Sequence, residues 1–396
     1  MLCIAMAMFT SSCSHSDEEP TIAHRTVCAY MISESLDEPI LNNVRMMKSG
    51  SVGISDNDNL IVYLDRPNLK SMLLRISNGA IDTLMTYKTN NISVEPSVVR
   101  DAIAWSFEHY PAESYGVIFA SHGSGWLVRG DTVAVAKTPK SSYGYDKGGM
   151  SINIPSLKMA LSGLPKLDFI LWDCCNMQCI EVAYELRNTT DCLMGSPSEI
   201  PSAGGPYNKL VPAMFSHAAN YRETTLKEYW NYYARDRGDS LPLSLIYTKD
   251  LEQFANVTHQ KLQMFMPQKS LRIDLSNLIF YLRDTKRNND RVMFDMNNFM
   301  LVHLAKGDVT NADYIDWKRS LDNVVTLKYR CTRWKTNTMR QNDFMSFYKY
   351  LSNDDHYSGI SMYVPSSDYI ASHWNYNYDL HSTEWYYAVN WGDFGW

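Results

Sequence analysis

The chain lacks any surplus of positive charge: 37 Lys and Arg stand against 43 Asp and Glu, for a formal net charge of -6. A basic footprint for nucleic acid is therefore missing. Beyond the N-terminus no run is long and apolar enough to cross a bilayer. Cysteine is sparse, with 8 in 396 residues, at Cys3, Cys13, Cys28, Cys174, Cys175, Cys179, Cys192 and Cys331. That spacing is not a disulfide scaffold, and a chain of this length needs none. Internal repeats and long low-complexity stretches are also missing. What remains is an ordinary globular composition, 45% hydrophobic and 20% charged, large enough for one big or two modest domains.

The N-terminus carries an address. Leu2 to Phe9 is nearly all apolar and is followed by Thr10-Ser11-Ser12-Cys13. A short apolar stretch ending in small residues and Cys resembles a lipoprotein signal peptide, with Cys13 as the lipidated first residue of the mature chain. The acidic, Ser-rich segment after it, in a tether over 14–24, resembles the surface-export signals of some Gram-negative lipoproteins. The expectation is a bacterial envelope protein, an outer-membrane lipoprotein facing outward or a secreted one, touching membrane only through its anchor.

From residue 25 to 207 short apolar runs alternate with helical patterns. Thr26–Ile32, Leu60–Leu64, Gly116–Ala120, Leu167–Trp172 and Cys192–Gly195 read as strands, and a hairpin is expected around Asn78-Gly79. Helices are expected after Pro96, from Pro155 to Gly163, and around Ile180. This alternation predicts an α/β sandwich with a mostly parallel central sheet. Residues 208–355 read as mainly helical, including Leu275 to Arg287, and 356–396 as a returning strand with an aromatic tail.

Two strand ends carry chemistry. Gly116–Ala120 delivers Ser121-His122-Gly123-Ser124-Gly125-Trp126, and Leu167–Trp172 delivers Asp173-Cys174-Cys175-Asn176-Met177. Sites in parallel sheets form at the carboxyl ends of strands. A thiol and an imidazole meeting there suit acyl transfer: the imidazole takes the proton, and the thiolate attacks. If Cys175 opens a helix, that helix start favours the thiolate. Backbone N–H groups of Gly123 and Cys175 can form an oxyanion hole, at about 2.7–4 kcal/mol per donor. Taken singly, a strand-end His or an apolar-strand Cys is more often a packing residue.

Together these segments resemble the clostripain family of cysteine peptidases, which shares a caspase-like fold with gingipains, legumains and separase. The family pattern is similar to His122-Gly123-Ser124-Gly125-Trp126 and to Asp173-Cys174-Cys175-Asn176-Met177-Gln178-Cys179-Ile180-Glu181. The resemblance implies a caspase-like αβα sandwich with a largely helical C-terminal portion. It implies Cys175 as nucleophile, His122 as its base, and protein or peptide substrates cut after Arg or Lys. Asp173 matches the acid that holds the basic side chain. Glu199 offers a second charge in the following segment, where Pro197 and Pro201 depart from the expected pattern, and Trp126 is placed beside the substrate. Some relatives cut their own chain between the two motifs; Lys137, Lys140 and Lys147 in the loop 129–149 supply basic positions. Part of the family depends on calcium, but no loop of alternating acids with Gly is present. No cofactor is required on this reading and no metal ligand is assigned; calcium stays open though the sequence does not support it, and so does the oligomeric state.

Two other readings compete. One is a catalytically silent surface protein on the same scaffold, binding peptide or glycan through its 26 Tyr and 10 Trp. The other is redox or metal chemistry at Cys174, Cys175 and Cys179. Adjacent cysteines bridge poorly, and the spacing lacks paired Cys-x-x-Cys.

Overall fold

A computed structural model describes residues 22–88, 91–127, 143–236, 241–265, 275–284, 290–336, 344–346, 356–366 and 376–396. The signal segment, residues 14–21 of the tether and positions 137 and 140 lie outside them; 23 and 24 open the first strand.

The first half alternates as expected. Strand β1 (Ala23–Ile32) leads to α1 (Asp37–Gly50), β2 (Asp58–Asp65), β3 (Met72–Ser77) and β4 (Ala80–Thr86). Helix α2 (Pro96–His109) and β5 (Ala112–Ala120) follow, then the small hairpin β6 (Tyr143–Asp146) and β7 (Met150–Ile152). Next come α3 (Ile154–Leu161), β8 (Phe169–Asp173), α4 (Ile180–Glu185) and β9 (Cys192–Gly195). Local chemistry accounts for several boundaries. Pro96 sits in the first turn of α2, where its missing N–H costs nothing. Asn153 caps α3 by accepting from the Ser156 N–H at 2.7 Å. The β3–β4 turn places Asn78 and Gly79 at φ 46° and 72°, the two left-handed residues a tight hairpin requires.

The central sheet has nine strands in the order β13-β10-β9-β8-β5-β1-β2-β3-β4. Its heart, β9-β8-β5-β1-β2, is parallel; β3 and β4 extend one edge antiparallel. The opposite edge comes from later in the chain: β10 (Leu243–Tyr247) and β13 (Val325–Tyr329), also antiparallel. Side chains alternate between the faces. Cys28, Tyr30 and Ile32 of β1 join a core with α2, α3 and α4, while Val27, Ala29 and Met31 join a second core with α1, α5 (Tyr207–Met214) and α6 (Tyr221–Asn231). This is the αβα sandwich the sequence implies.

The remaining chain is helical in part. Helices α7 (Leu251–Phe265), α8 (Met296–Lys306) and α9 (Asn311–Val324) are present. Over the described part of the helix expected at 275–287, residues 275–284, no helix forms: β11 (Phe280–Asp284) pairs with β12 (Asp290–Asp295), which also pairs with β16 (Ser361–Met362). Ile279, Phe280 and Tyr281 are β-branched or aromatic, and cross-strand pairing decides their state over the approximate helical spacing. The short pair β14 (Arg333–Lys335) and β15 (Phe344–Ser346) stands apart. The tail forms α10 (Tyr376–Asp379) and α11 (Glu384–Ala388), whose Trp385 packs against Tyr184 of α4 with ring centroids 5.6 Å apart. No described helix is long and apolar enough to cross a membrane.

Candidate active site

The parallel pairing of β5 with β8 sets Ala120 opposite Asp173. Ser121-His122 and Cys174-Cys175 therefore leave the sheet side by side at its carboxyl rim, as expected from sequence. The two turns touch. A Cβ built on Gly123 would lie 2.7 Å from the Cys175 carbonyl oxygen and 3.1 Å from both Cys174 Cβ and Met177 Sδ. Only glycine lets the backbone of the His turn come so close to the Cys turn.

Cys174 and Cys175 point to opposite faces. Cys174 is 1% exposed, and its thiol donates to the Phe119 carbonyl at 3.4 Å. Burial, reinforced by Asp173 and Cys175, pushes that thiol well above its usual range. Cys179 is sealed in the same core and its thiol is raised for the same primary reason. Cys175 lies on the other face at 8% exposed, and its Sγ accepts the Ile200 N–H at 3.3 Å. That donor was missed in the sequence, which marked 195–201 only as a pocket-lining segment.

One expectation changes in form. Cys175 does not open a helix: residues 174–179 form a turn, and α4 starts at Ile180. The helix-start field expected at Cys175 is thus replaced by individual N–H groups such as that of Ile200. The turn bends at Asn176, which is buried with φ 61°. Its N–H donates to the Ser198 carbonyl at 3.0 Å, and the Gln178 N–H donates to the Ser196 carbonyl at 3.1 Å.

His122 is half-buried at the rim. Its Nε2 lies 2.8 Å from Ser35 Oγ, and its ring meets Tyr145 edge-on with centroids 5.7 Å apart. Ser35 follows β1 on a braced loop. Arg66 grips Asp37 with two bonds of 2.9 and 2.8 Å, Ser33 Oγ donates to Asp37 at 3.1 Å, and the Ser33 N–H donates to the Asp65 carbonyl at 3.0 Å. Ser35 carries no motif, so the sequence offered no signal for it.

Asp173 shares the face of Cys175. Its carboxylate accepts from Tyr207 Oη at 2.7 Å, Tyr229 Oη at 2.5 Å and the Gly205 N–H at 3.0 Å. Burial raises its pKa, and those donors, Tyr229 foremost, oppose the rise. Glu199 is fully buried beside Ile200. Trp126, expected beside the substrate, is 1% exposed and packs edge-on against Tyr363 at 5.2 Å. It supports the turn from within the core, so the structure corrects its assignment to the substrate surface. Glu181 accepts the Tyr363 N–H at 2.7 Å, and burial pushes its carboxyl up to about 8. Lys147, in the interval between the motifs, donates to the Asn91 carbonyl at 3.2 Å.

A thiol at the carboxyl rim of a caspase-like sandwich, touching a turn that carries an imidazole, defines the class of cysteine peptidases. The comparisons give the family. The model of the clostripain family, peptidase C11, matches residues 29–396, and the chain belongs to that family. It is a cysteine peptidase, a hydrolase whose substrates are peptides or proteins. It is similar over 93% of its length to a secreted C11 cysteine protease of Bacteroides thetaiotaomicron, solved with an irreversible peptide inhibitor: identity is 28%, TM-score 0.75, and 99% of that chain is covered. An inactive zymogen C11 protease of Parabacteroides distasonis is similar at 27% identity and TM-score 0.74, again over 93% of this chain and 99% of that one. A B. fragilis cysteine protease, at 29% identity and TM-score 0.54, matches over 64% of this chain and 99% of its own. Among curated proteins none matches.

Proposed function

We propose that the chain is an exported endopeptidase in which Cys175 and His122 act as a dyad and cleave after Arg or Lys. The observation that carries this reading is the shared rim: Ala120 opposite Asp173, with Gly123 against the Cys175 carbonyl. His122 takes the Cys175 proton, and the thiolate forms a C–S bond with the scissile carbonyl carbon. The carbonyl oxygen takes the displaced π pair and is stabilised by the N–H groups of Gly123 and Cys175. Collapse breaks the C–N bond while His122 protonates the leaving amine. Water, deprotonated by His122, then attacks the thioester, and the C–S bond breaks to return the thiol. Both half-reactions balance with thiol, imidazole and water alone.

Asp173 is the group we assign to a basic P1 side chain. Its position on the face of Cys175, two residues upstream, supports this. Glu199, buried beside the Ile200 donor, is assigned a secondary electrostatic part. The Cys13 motif supports export and lipid anchoring.

The test is turnover of a peptide library by the full chain and its alanine variants. Cys175→Ala is expected to lower kcat by at least about 10³-fold, as removal of a nucleophile does. Cys174→Ala should keep turnover, with cuts after Arg and Lys. Undiminished turnover by Cys175→Ala would remove the dyad, and cuts spread over apolar residues would remove the role given to Asp173.

A further inference from the structure

At the opposite, amino rim of the sheet three side chains converge that take no part in this chemistry. His24 is the second residue of β1, Asp58 is the first of β2, and His217 lies just beyond α5. The β1–β2 register sets Arg25 opposite Asp58, so His24 lies beside it. His24 Nδ1 is 3.4 Å from Asp58 Oδ1, and His217 Nε2 is 3.8 Å from Asp58 Oδ2. The two imidazoles stack with centroids 3.8 Å apart and planes 15° off parallel. One donor atom from each of the three residues lies within 4.8 Å of the others, and no second such group occurs among the described residues.

The buried carboxylate sets this cluster apart from a chance surface group. The Asp58 side chain is fully buried, and its Oδ2 has no hydrogen-bond partner within the protein. A buried carboxylate oxygen left in that state is costly. The neighbouring Arg25 acts on it by charge but gives that oxygen no hydrogen bond. Arg25 gives its Nε to Ser114 Oγ at 3.0 Å and its Nη1 to the Met214 and Ser216 carbonyls, while Nη2 faces Asp168 at 3.8 Å. Those bonds instead pin the segment that presents His217.

We infer that His24, Asp58 and His217 form a binding site for a divalent transition metal of the zinc class. Two imidazoles and one carboxylate suit zinc and its neighbours, whereas calcium and magnesium require oxygen sets. Bonds of about 2.0–2.2 Å draw the three donors closer than they now stand. His217, with its side chain 61% exposed, has room to make that movement and leaves the outer coordination position to solvent. The ion staples the starts of β1 and β2 to the segment after α5. This is a structural role, independent of the assignment of Cys175.

The experiment is equilibrium dialysis of the full chain against Zn²⁺, in a Cys175→Ala background so that the rim thiol does not compete. One equivalent is expected, with a raised melting temperature. Adding His217→Ala, a change at an exposed side chain, should weaken uptake by at least about 10-fold, the order of a lost metal-site contact, and cancel the rise. Co²⁺ in place of Zn²⁺ should give d–d absorption without a thiolate charge-transfer band. No retained zinc, equal retention after His217→Ala, or a thiolate band would each overturn the site.

Discussion

The two faces of the central sheet receive consecutive cysteines and treat them in opposite ways. Cys174 enters a core of Phe119, Trp172 and Met177, donates a hydrogen bond to a main-chain carbonyl, and is held as a thiol by burial. Cys175 enters the face of Asp173, Tyr207 and Tyr229, where a main-chain N–H is directed at its sulfur. Cys175 also faces the Ile200 carbonyl, at 3.7 Å, so the contrast rests on the N–H it receives, which favours the anion. Identical side chains one residue apart, just past the end of β8, thus acquire different surroundings from the surfaces they join.

The largest contrast to test is reactivity. Brief treatment of the native chain with iodoacetamide, read by peptide mapping, should modify Cys175 and spare Cys174 and Cys179 until the chain is unfolded. Alkylation of Cys174 at a similar rate would erase the difference between the faces. Next in size is the contact between the turns. Gly123→Ala should cost roughly 1–3 kcal/mol in denaturant unfolding, because the backbone of one turn must retreat, and should lower turnover with it. Unchanged stability would mean the turns do not constrain one another.

Ser35→Ala should act more gently, lowering kcat about 2–10-fold, the scale of one net hydrogen bond, with KM unchanged. On the proposed dyad Ser35 would position His122, so the pH dependence of kcat should also shift. A pH profile that does not move would deny it that part. A separate effect, on stability alone, concerns Glu181 on the sealed face. Its carboxyl titrates near 8 when folded against an ordinary value of 4.5, so the folded chain binds the extra proton between those limits. Its contribution is therefore fully present below about 4.5 and declines as pH rises toward 8. Glu181→Gln keeps an acceptor for Tyr363 and should flatten that part of the slope in urea midpoints taken from pH 5 to 8. An identical slope in both proteins would place the proton elsewhere.

Much of this was legible in the chain itself, where the signal was local. Gly116–Ala120 and Cys192–Gly195 read as apolar runs, Asn78-Gly79 as a hairpin, Pro96 and Pro155 as helix starts, and the His and Cys motifs as strand ends. What escaped depends on residues distant in sequence. β10 and β13 reach the sheet edge by pairing across long separations, and 280–284 becomes a strand because β12 is there to pair with it. The Ile200 donor, the tyrosines on Asp173, and Ser35 beside His122 carry no periodicity or motif. Trp126 had a motif position, but nothing local revealed which way its ring would face.

Asn176 has a wider consequence. A left-handed, non-glycine residue is unfavourable by roughly 1–2 kcal/mol, and neither polar atom of its buried amide has a hydrogen-bond partner within the protein. The bend that carries the sulfur is therefore not self-supporting; its shape is inherited from Ser196 and Ser198, Gly123 and Ser361, which belong to three separate stretches of chain. Transplanting residues 173–177 into another scaffold would move the letters and leave the conformation behind.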